Sequence, residues 1–278
     1  MELHLGFSPC PNDTFIFDAM LHGKIDTEGI TFIPVIEDVE TLNQKALQQE
    51  LAITKLSYHA FAHLVDKYIL LDAGSALGFG VGPLLISKNK IENIEDKIAN
   101  LKIGIPGKLT TANFLLNIAF PQAQQKVEMV FSEIENALIN EEIDLGLIIH
   151  ENRFTYAAKG LHKVIDLGSF WEQKTGSAIP LGGIVMSRKY DKQTLDKVNR
   201  IMASSVEFAM KNPLSSAEFV KQHAQEMEES VVVKHIQLYV NKYSLNLGVE
   251  GRKAVSTLLD SAVAQGLILP FTYPIFID

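Results

Sequence analysis

An α/β chain arranged as two lobes is what this sequence predicts, and three observations carry the expectation. The stretch Asp144-Leu-Gly-Leu-Ile-Ile-His150 is nearly all apolar and lacks the polar alternation of a half-wet antiparallel strand, so it reads as a parallel strand covered on both faces. A strand, a proline-containing turn and a helix start recur at residues 2–23 and again at 101–120, the alternation of a sheet with helices on its faces. The length of 278 residues exceeds the usual size of one domain, and 47% apolar residues suffice for two cores.

Taken in order, Glu2 to Ser8 forms a first strand, and Pro9-Cys-Pro-Asn-Asp-Thr14 a turn opening a helix to Gly23. Pro11 suits a helix entrance, and Asn12, Asp13 or Thr14 can cap it. Ile30 to Ile36 is the next strand, and its Pro34 implies an edge or a bulge. An amphipathic helix over Val39 to Glu50 leads to a strand over Leu51 to Ser57. The glycines at 74, 78, 80 and 82 mark a flexible crossing before the strand Leu84 to Lys88. This is no phosphate loop, because neither Gly-Lys-Ser/Thr nor a placed Gly-x-Gly-x-x-Gly occurs. Leu101 to Gly107 gives a strand and turn, and a helix runs from Thr110 to Phe120. Val127 to Phe131, a helix over Glu133 to Asn140, and Ile143 to His150 complete that lobe. Val164 to Leu167 and Leu181 to Ser187 form the return path, with Gly182-Gly183 as a hinge. Helices then follow over 191–211, 214–224, 228–241 and 249–266, with no candidate chemistry, and the aromatic tail Phe271 to Phe276 packs against the first lobe.

Composition limits the function. With 33 acidic against 25 basic side chains, a net charge of -8 and no Lys/Arg block, a nucleic-acid surface is not expected. Met1 to Phe7 has neither a basic n-region nor an apolar h-region, and no run of ~18 apolar residues occurs, so no membrane is expected and the location is cytoplasmic. The single cysteine, Cys10, excludes an internal disulfide and a thiolate metal cluster; between two prolines it could be a nucleophile, but no base stands next to it in the sequence and it reads instead as a small buried filler. His59 and His63 stand four apart without a third ligand and read as surface histidines of a helix, so no metal is expected.

Four segments carry candidate site residues. His150 ends the apolar strand, where ligands of open parallel sheets bind, and the helix expected after Asn152 places its N-terminus beside the ring. A neutral base is one reading; a buried histidine bonded to a backbone carbonyl is the other. Lys55 and Ser57 point to one side of their strand, where a lysine needs a partner or a ligand. Thr110 and Thr111 open a helix, as do Ser8, Asn12, Asp13 and Thr14 at the first one; such starts hold anions or simply cap.

With Ser8-Pro-Cys-Pro-Asn-Asp-Thr-Phe15, Thr54-Lys-Leu-Ser57, Gly104-Ile-Pro-Gly-Lys-Leu-Thr-Thr-Ala112 and Ile149-His-Glu151 in this order, the chain resembles the 1,4-dihydroxy-6-naphthoate synthase family of the futalosine route to menaquinone, over essentially its whole length. The resemblance implies a periplasmic-binding-protein-like fold of type II, with two α/β lobes around a ligand cleft. It also implies a cofactor-free lyase acting on a small molecule, cyclic dehypoxanthine futalosine. His150 would be the proton acceptor, and Lys55, Leu56, Ser57, Thr110 and Thr111 the substrate contacts. Ser8, Asn12, Asp13, Thr14 and Ser75 are further candidate contacts. The lobes are then expected over 1–86 with 188–278, and over 87–187, joined by crossings near 84–90 and 181–188. Two alternatives stand beside this reading: the chorismate dehydratase of the same pathway, and a non-catalytic solute-binding protein, against which the missing signal peptide counts.

Overall fold

The computed structural model describes residues 1–224 and 228–277. The first part of the chain forms β1 (Glu2–Phe7), α1 (Pro11–Leu21), β2 (Thr31–Ile36), α2 (Val39–Leu47), β3 (Ile53–Ser57), α3 (Tyr58–Ala62), β4 (Tyr68–Leu70) and β5 (Ala76–Gly78). Alternation buries Leu3, Leu5 and Phe7 of β1. β2 lies at the sheet edge, as Pro34 requires, because proline brings no amide hydrogen to an outer ladder. α2 is capped by Asp38, whose carboxylate accepts from the amides of Glu40 at 2.9 Å and Thr41 at 3.2 Å. α1 departs from expectation: its N-cap is Cys10, with no side-chain cap. Pro11 sits in the first turn, and Asn12, Asp13 and Thr14 turn their side chains to other work.

The middle of the chain contributes β6 (Leu84–Ser87), α4 (Ile94–Lys97), β7 (Ile103–Ile105), α5 (Thr111–Ala119), β8 (Lys126–Glu128), α6 (Ile134–Ile139), β9 (Leu145–Ile148), α7 (Asn152–Thr155), β10 (His162–Asp166) and α8 (Leu167–Thr175). Their sheet has the order β10-β6-β9-β7-β8. β9 is buried along its whole length, as its apolar run implies, but it is parallel only to β7 and antiparallel to β6. An unbroken apolar run reports cover on both faces and says nothing about neighbour direction. The segment expected to cross between lobes, 84–90, instead contains β6, a strand inside this sheet. Leu84, Ile86, Ile134, Leu138 and Ile148 share the core here, and the Trp171 indole donates to the Ala178 carbonyl at 3.3 Å.

The last part returns to the first sheet through β11 (Ile179–Ser187), followed by α9 (Lys192–Lys211), α10 (Ala217–His223), α11 (Glu229–Tyr239), α12 (Lys242–Leu245) and α13 (Gly248–Ala264). β11 runs antiparallel between β3 and β4, completing the order β2-β1-β3-β11-β4, with β5 also on β11. The chain thus divides into two compact units, Met1–Gly78 with Pro180–Asp278, and Phe79–Ile179. These boundaries precede the expected 86/87 and 187/188, because β6 and β11 each belong wholly or mostly to a sheet. Gly182 and Gly183, expected as a hinge, lie inside the β3–β11 ladder opposite Ser57 and Leu56. A Cβ on Gly183 would stand 2.6 Å from Leu70 Cδ1 and 2.9 Å from the Tyr58 hydroxyl, so the pair serves close packing. α9 is fixed to α1 by Ser205, whose hydroxyl donates to the Ile16 carbonyl at 2.6 Å. The tail joins the first unit too, its Ile275 carbonyl accepting from the Leu70 amide at 2.9 Å. Among the described residues, no helix is long and apolar enough to cross a membrane.

Candidate active site

In the first unit, β3 delivers Lys55 into a polar network built on the start of α1. Lys55 is 6% exposed, and its ammonium forms an ion pair with the fully buried Asp13 carboxylate. A lone buried charge costs several kcal/mol, so the strand lysine is tolerated because this partner is present. Asp13 also accepts from the Ser8 amide at 3.2 Å, the Ser8 hydroxyl at 2.7 Å and the Asn12 side-chain amide at 2.8 Å. Asp13 is therefore an internal counter-ion that orients the lysine, and Ser8 and Asn12 are its supports. Thr14 bonds back to the Cys10 and Pro11 carbonyls at 3.2 and 3.3 Å.

Ser57, two residues beyond Lys55, is held at both backbone and side chain by one amide. Asn43 of α2 accepts from the Ser57 amide at 3.0 Å and donates to the Ser57 hydroxyl oxygen at 3.2 Å. The hydroxyl oxygen thus acts as acceptor toward Asn43 and keeps its own proton for donation elsewhere. Leu56 between them is fully buried. Ser75 pairs with the Tyr58 hydroxyl at 2.7 Å, and burial pushes the Tyr58 phenol well above its ordinary range, which keeps it neutral. His59 is buried on α3 and His63 is exposed just past its end, so only the second is the surface histidine expected.

Gly182 completes the lysine's surroundings. A Cβ there would lie 3.0 Å from both the Leu56 carbonyl oxygen and Lys55 Cε. Gly182→Ala is accordingly expected to cost about 1–3 kcal/mol, read as a lower urea midpoint at unchanged m-value. An unchanged midpoint would mean that the lysine stem moves aside freely.

In the second unit, His150 stands two residues beyond β9 in the left-handed region, at φ 57°. Few non-glycine residues adopt that conformation, and here it turns the chain sharply from the strand. The imidazole is half-buried, with the Phe131 ring 4.8 Å away. The turn is tied down at its far side, where Asn152 donates to the buried Glu135 carboxylate at 2.5 Å. The same carboxylate oxygen receives Lys159 at 2.7 Å. The helix expected after Asn152 is shorter than its sequence suggested: α7 covers one turn and a 3-10 turn over Tyr156–Lys159 follows. One turn carries little of the dipole expected to act on the ring.

Thr110 caps α5, accepting from the Asn113 amide at 3.2 Å while its hydroxyl donates to the Gly107 carbonyl at 2.8 Å. The capping role expected for it is realised, and its side chain retains acceptor capacity only. Thr111 is the first residue of α5 and is buried. Four groups in these surroundings escaped the sequence reading: Asn43, Phe131, Glu135 and His235. Asn43 and His235 each carried a signal, a polar residue on the apolar face of an amphipathic helix.

One α/β unit holds a buried lysine in the middle of a strand, and the other a histidine two residues past a strand end. The fold is the periplasmic-binding-protein-like one: the periplasmic aliphatic sulphonate binding protein SsuA of Escherichia coli matches with a TM-score of 0.66 at 11% identity, covering 97% of this chain and 89% of that one. That likeness concerns the fold alone. The chain belongs to the menaquinone biosynthesis family, whose model matches residues 3–264. The 1,4-dihydroxy-6-naphtoate synthase of Thermus thermophilus is 42% identical over 275 residues, 99% of each chain. A crystal structure of a protein from Archaeoglobus fulgidus is 36% identical with a TM-score of 0.90, covering 96% of this chain and 98% of that one.

Proposed function

We propose that this chain is a cytoplasmic carbon–carbon lyase that converts cyclic dehypoxanthine futalosine to 1,4-dihydroxy-6-naphthoate, with His150 as proton acceptor. The observation that carries the reading is end-to-end likeness, at 42% identity, to a relative that bears this synthase's name. Release of the sugar-derived portion from a spiro-ring precursor needs a proton removed and a developing enolate or oxyanion held, and aromatisation of the naphthalene drives the step. His150 takes the proton, its left-handed backbone fixing the ring against Phe131. Each unit offers its own candidate substrate contacts. Lys55 and the Ser57 hydroxyl supply donors for a carboxylate or developing negative charge, with Leu56 between them. The start of α5 at Thr111 favours an anion, and Thr110 can only accept from a substrate hydroxyl. The electron sink is the substrate's own carbonyl.

Substrate choice tests the proposal. Purified protein offered cyclic dehypoxanthine futalosine and, separately, chorismate should release naphthoate from the first and leave the second unchanged. Dehydration of chorismate would assign the chain to the dehydratase of the same pathway, and binding without turnover would assign it to the solute binders.

A second expectation concerns Lys55. Lys55→Gln keeps a donor for Asp13 while removing the charge, and it should raise KM about tenfold with kcat little changed, the pattern of a group that holds ground and transition states alike. A fall in kcat at constant KM would make Lys55 a transition-state group instead.

A further inference from the structure

The C-terminal helices show no chemistry in the sequence, yet α11 brings one fully buried titratable side chain to the lysine's network. Val231, His235 and Tyr239 recur every four positions and are the buried residues of α11, so the imidazole lies on the stripe facing the core. His235 is 0% exposed, its ring centroid is 4.6 Å from that of Tyr239, and its Nε2 lies 2.8 Å from Asn12 Oδ1. Asn12 donates through Nδ2 to Asp13 Oδ1 at 2.8 Å, and Asp13 pairs with Lys55. A carboxylate that pairs with a lysine only accepts, so the NH2 end of Asn12 faces Asp13 and the carbonyl end faces the imidazole. The imidazole must then donate, which places a proton on His235 Nε2.

We propose that His235 is a positioning residue for Lys55: its Nε2–H locks the Asn12 amide in the one orientation that donates to Asp13, and Asp13 so fixed sets where the Lys55 ammonium stands. The inference rests on the reading of Lys55 as a substrate contact. Without the Nε2–H donor, the buried Asn12 carbonyl oxygen loses its partner and the amide is held only at its NH2 end, by Asp13. Held at one end, the amide shifts, and the carboxylate and its paired ammonium shift with it. Nothing in α11 needs to touch substrate for this to act.

Two substitutions separate positioning from packing. His235→Phe keeps a ring beside Tyr239 and removes the donor; His235→Gln restores an N–H donor in a smaller side chain. His235→Phe should raise KM by about tenfold, the size of one hydrogen bond, with kcat changed by less than ~3-fold. His235→Gln should return KM to within ~3-fold of wild type. A normal KM in His235→Phe, or a raised KM that glutamine leaves uncorrected, would overturn the proposal. Lys55→Gln run alongside distinguishes the two failures. A normal KM there removes Lys55 from substrate binding, whereas a raised KM there with a normal KM in His235→Phe removes His235 alone. Should His235→Phe not fold, the two-bond 1H–15N correlation spectrum of the wild-type protein decides: a proton on His235 Nε2 at neutral pH is expected, and a bare Nε2 overturns the relay.

Discussion

His150→Asn is expected to fold, to bind substrate, and to turn over at least ~100-fold more slowly than wild type. Asparagine is the informative replacement for two reasons. It keeps hydrogen-bonding capacity while lacking basicity at neutral pH, and it is among the few residues that accept the left-handed conformation His150 occupies at φ 57°. The turn beyond β9 should therefore survive, held as before by the contact between Asn152 and Glu135. What should be lost is the proton acceptor proposed at this position beside Phe131. A histidine with only a packing role would show the opposite pattern, a lower melting temperature with near-normal kcat. Measuring kcat, substrate affinity and thermal stability on one preparation separates the two.

Asp13→Asn should cause the largest loss of stability among single substitutions at the site. Asp13 is fully buried, and the Lys55 side chain it neutralises is 8% exposed. Removing one partner of a buried pair leaves an uncompensated ammonium at a cost of about 3–5 kcal/mol, a large part of the ~5–15 kcal/mol that holds an ordinary domain folded. At about 2–4 °C per kcal/mol for a unit of this size, the melting temperature of the first unit should drop by roughly 6–20 °C. Replacing both partners, Asp13→Asn with Lys55→Met, removes the orphaned charge and should recover most of that loss while substrate affinity stays low. Wild-type melting of the single Asp13→Asn variant would contradict the buried ion pair.

The elements that carry their own local signals were legible in the sequence. Pro34 placed β2 at an edge, Thr110 marked the start of α5, and the apolar run before His150 gave a doubly covered strand. Strand direction was not legible, because β9 owes its composition to burial and meets one parallel and one antiparallel neighbour. Gly182 and Gly183 read as flexible in one dimension, whereas their role comes from Lys55, Leu56, Leu70 and Tyr58, which reach them only through pairing across the sheet. Lys55 announced itself as a buried lysine in need of a partner, but that partner, Asp13, lies on an element 42 positions away. His235 is more distant still, 223 positions from Asn12, and its chemistry depends entirely on packing between helices α1 and α11. Local capping and periodicity can be read from one segment at a time; networks that join distant segments emerge only when the segments are folded together.

Turnover itself is the most direct measurement. Purified wild-type protein and His150→Asn, matched for folding by circular dichroism, are incubated with cyclic dehypoxanthine futalosine, and the product is followed by naphthoate absorbance and by mass. The expected result is 1,4-dihydroxy-6-naphthoate accumulating with the wild type and at least ~100-fold more slowly with the variant. No product from folded wild-type protein, or equal rates from the two, would contradict it.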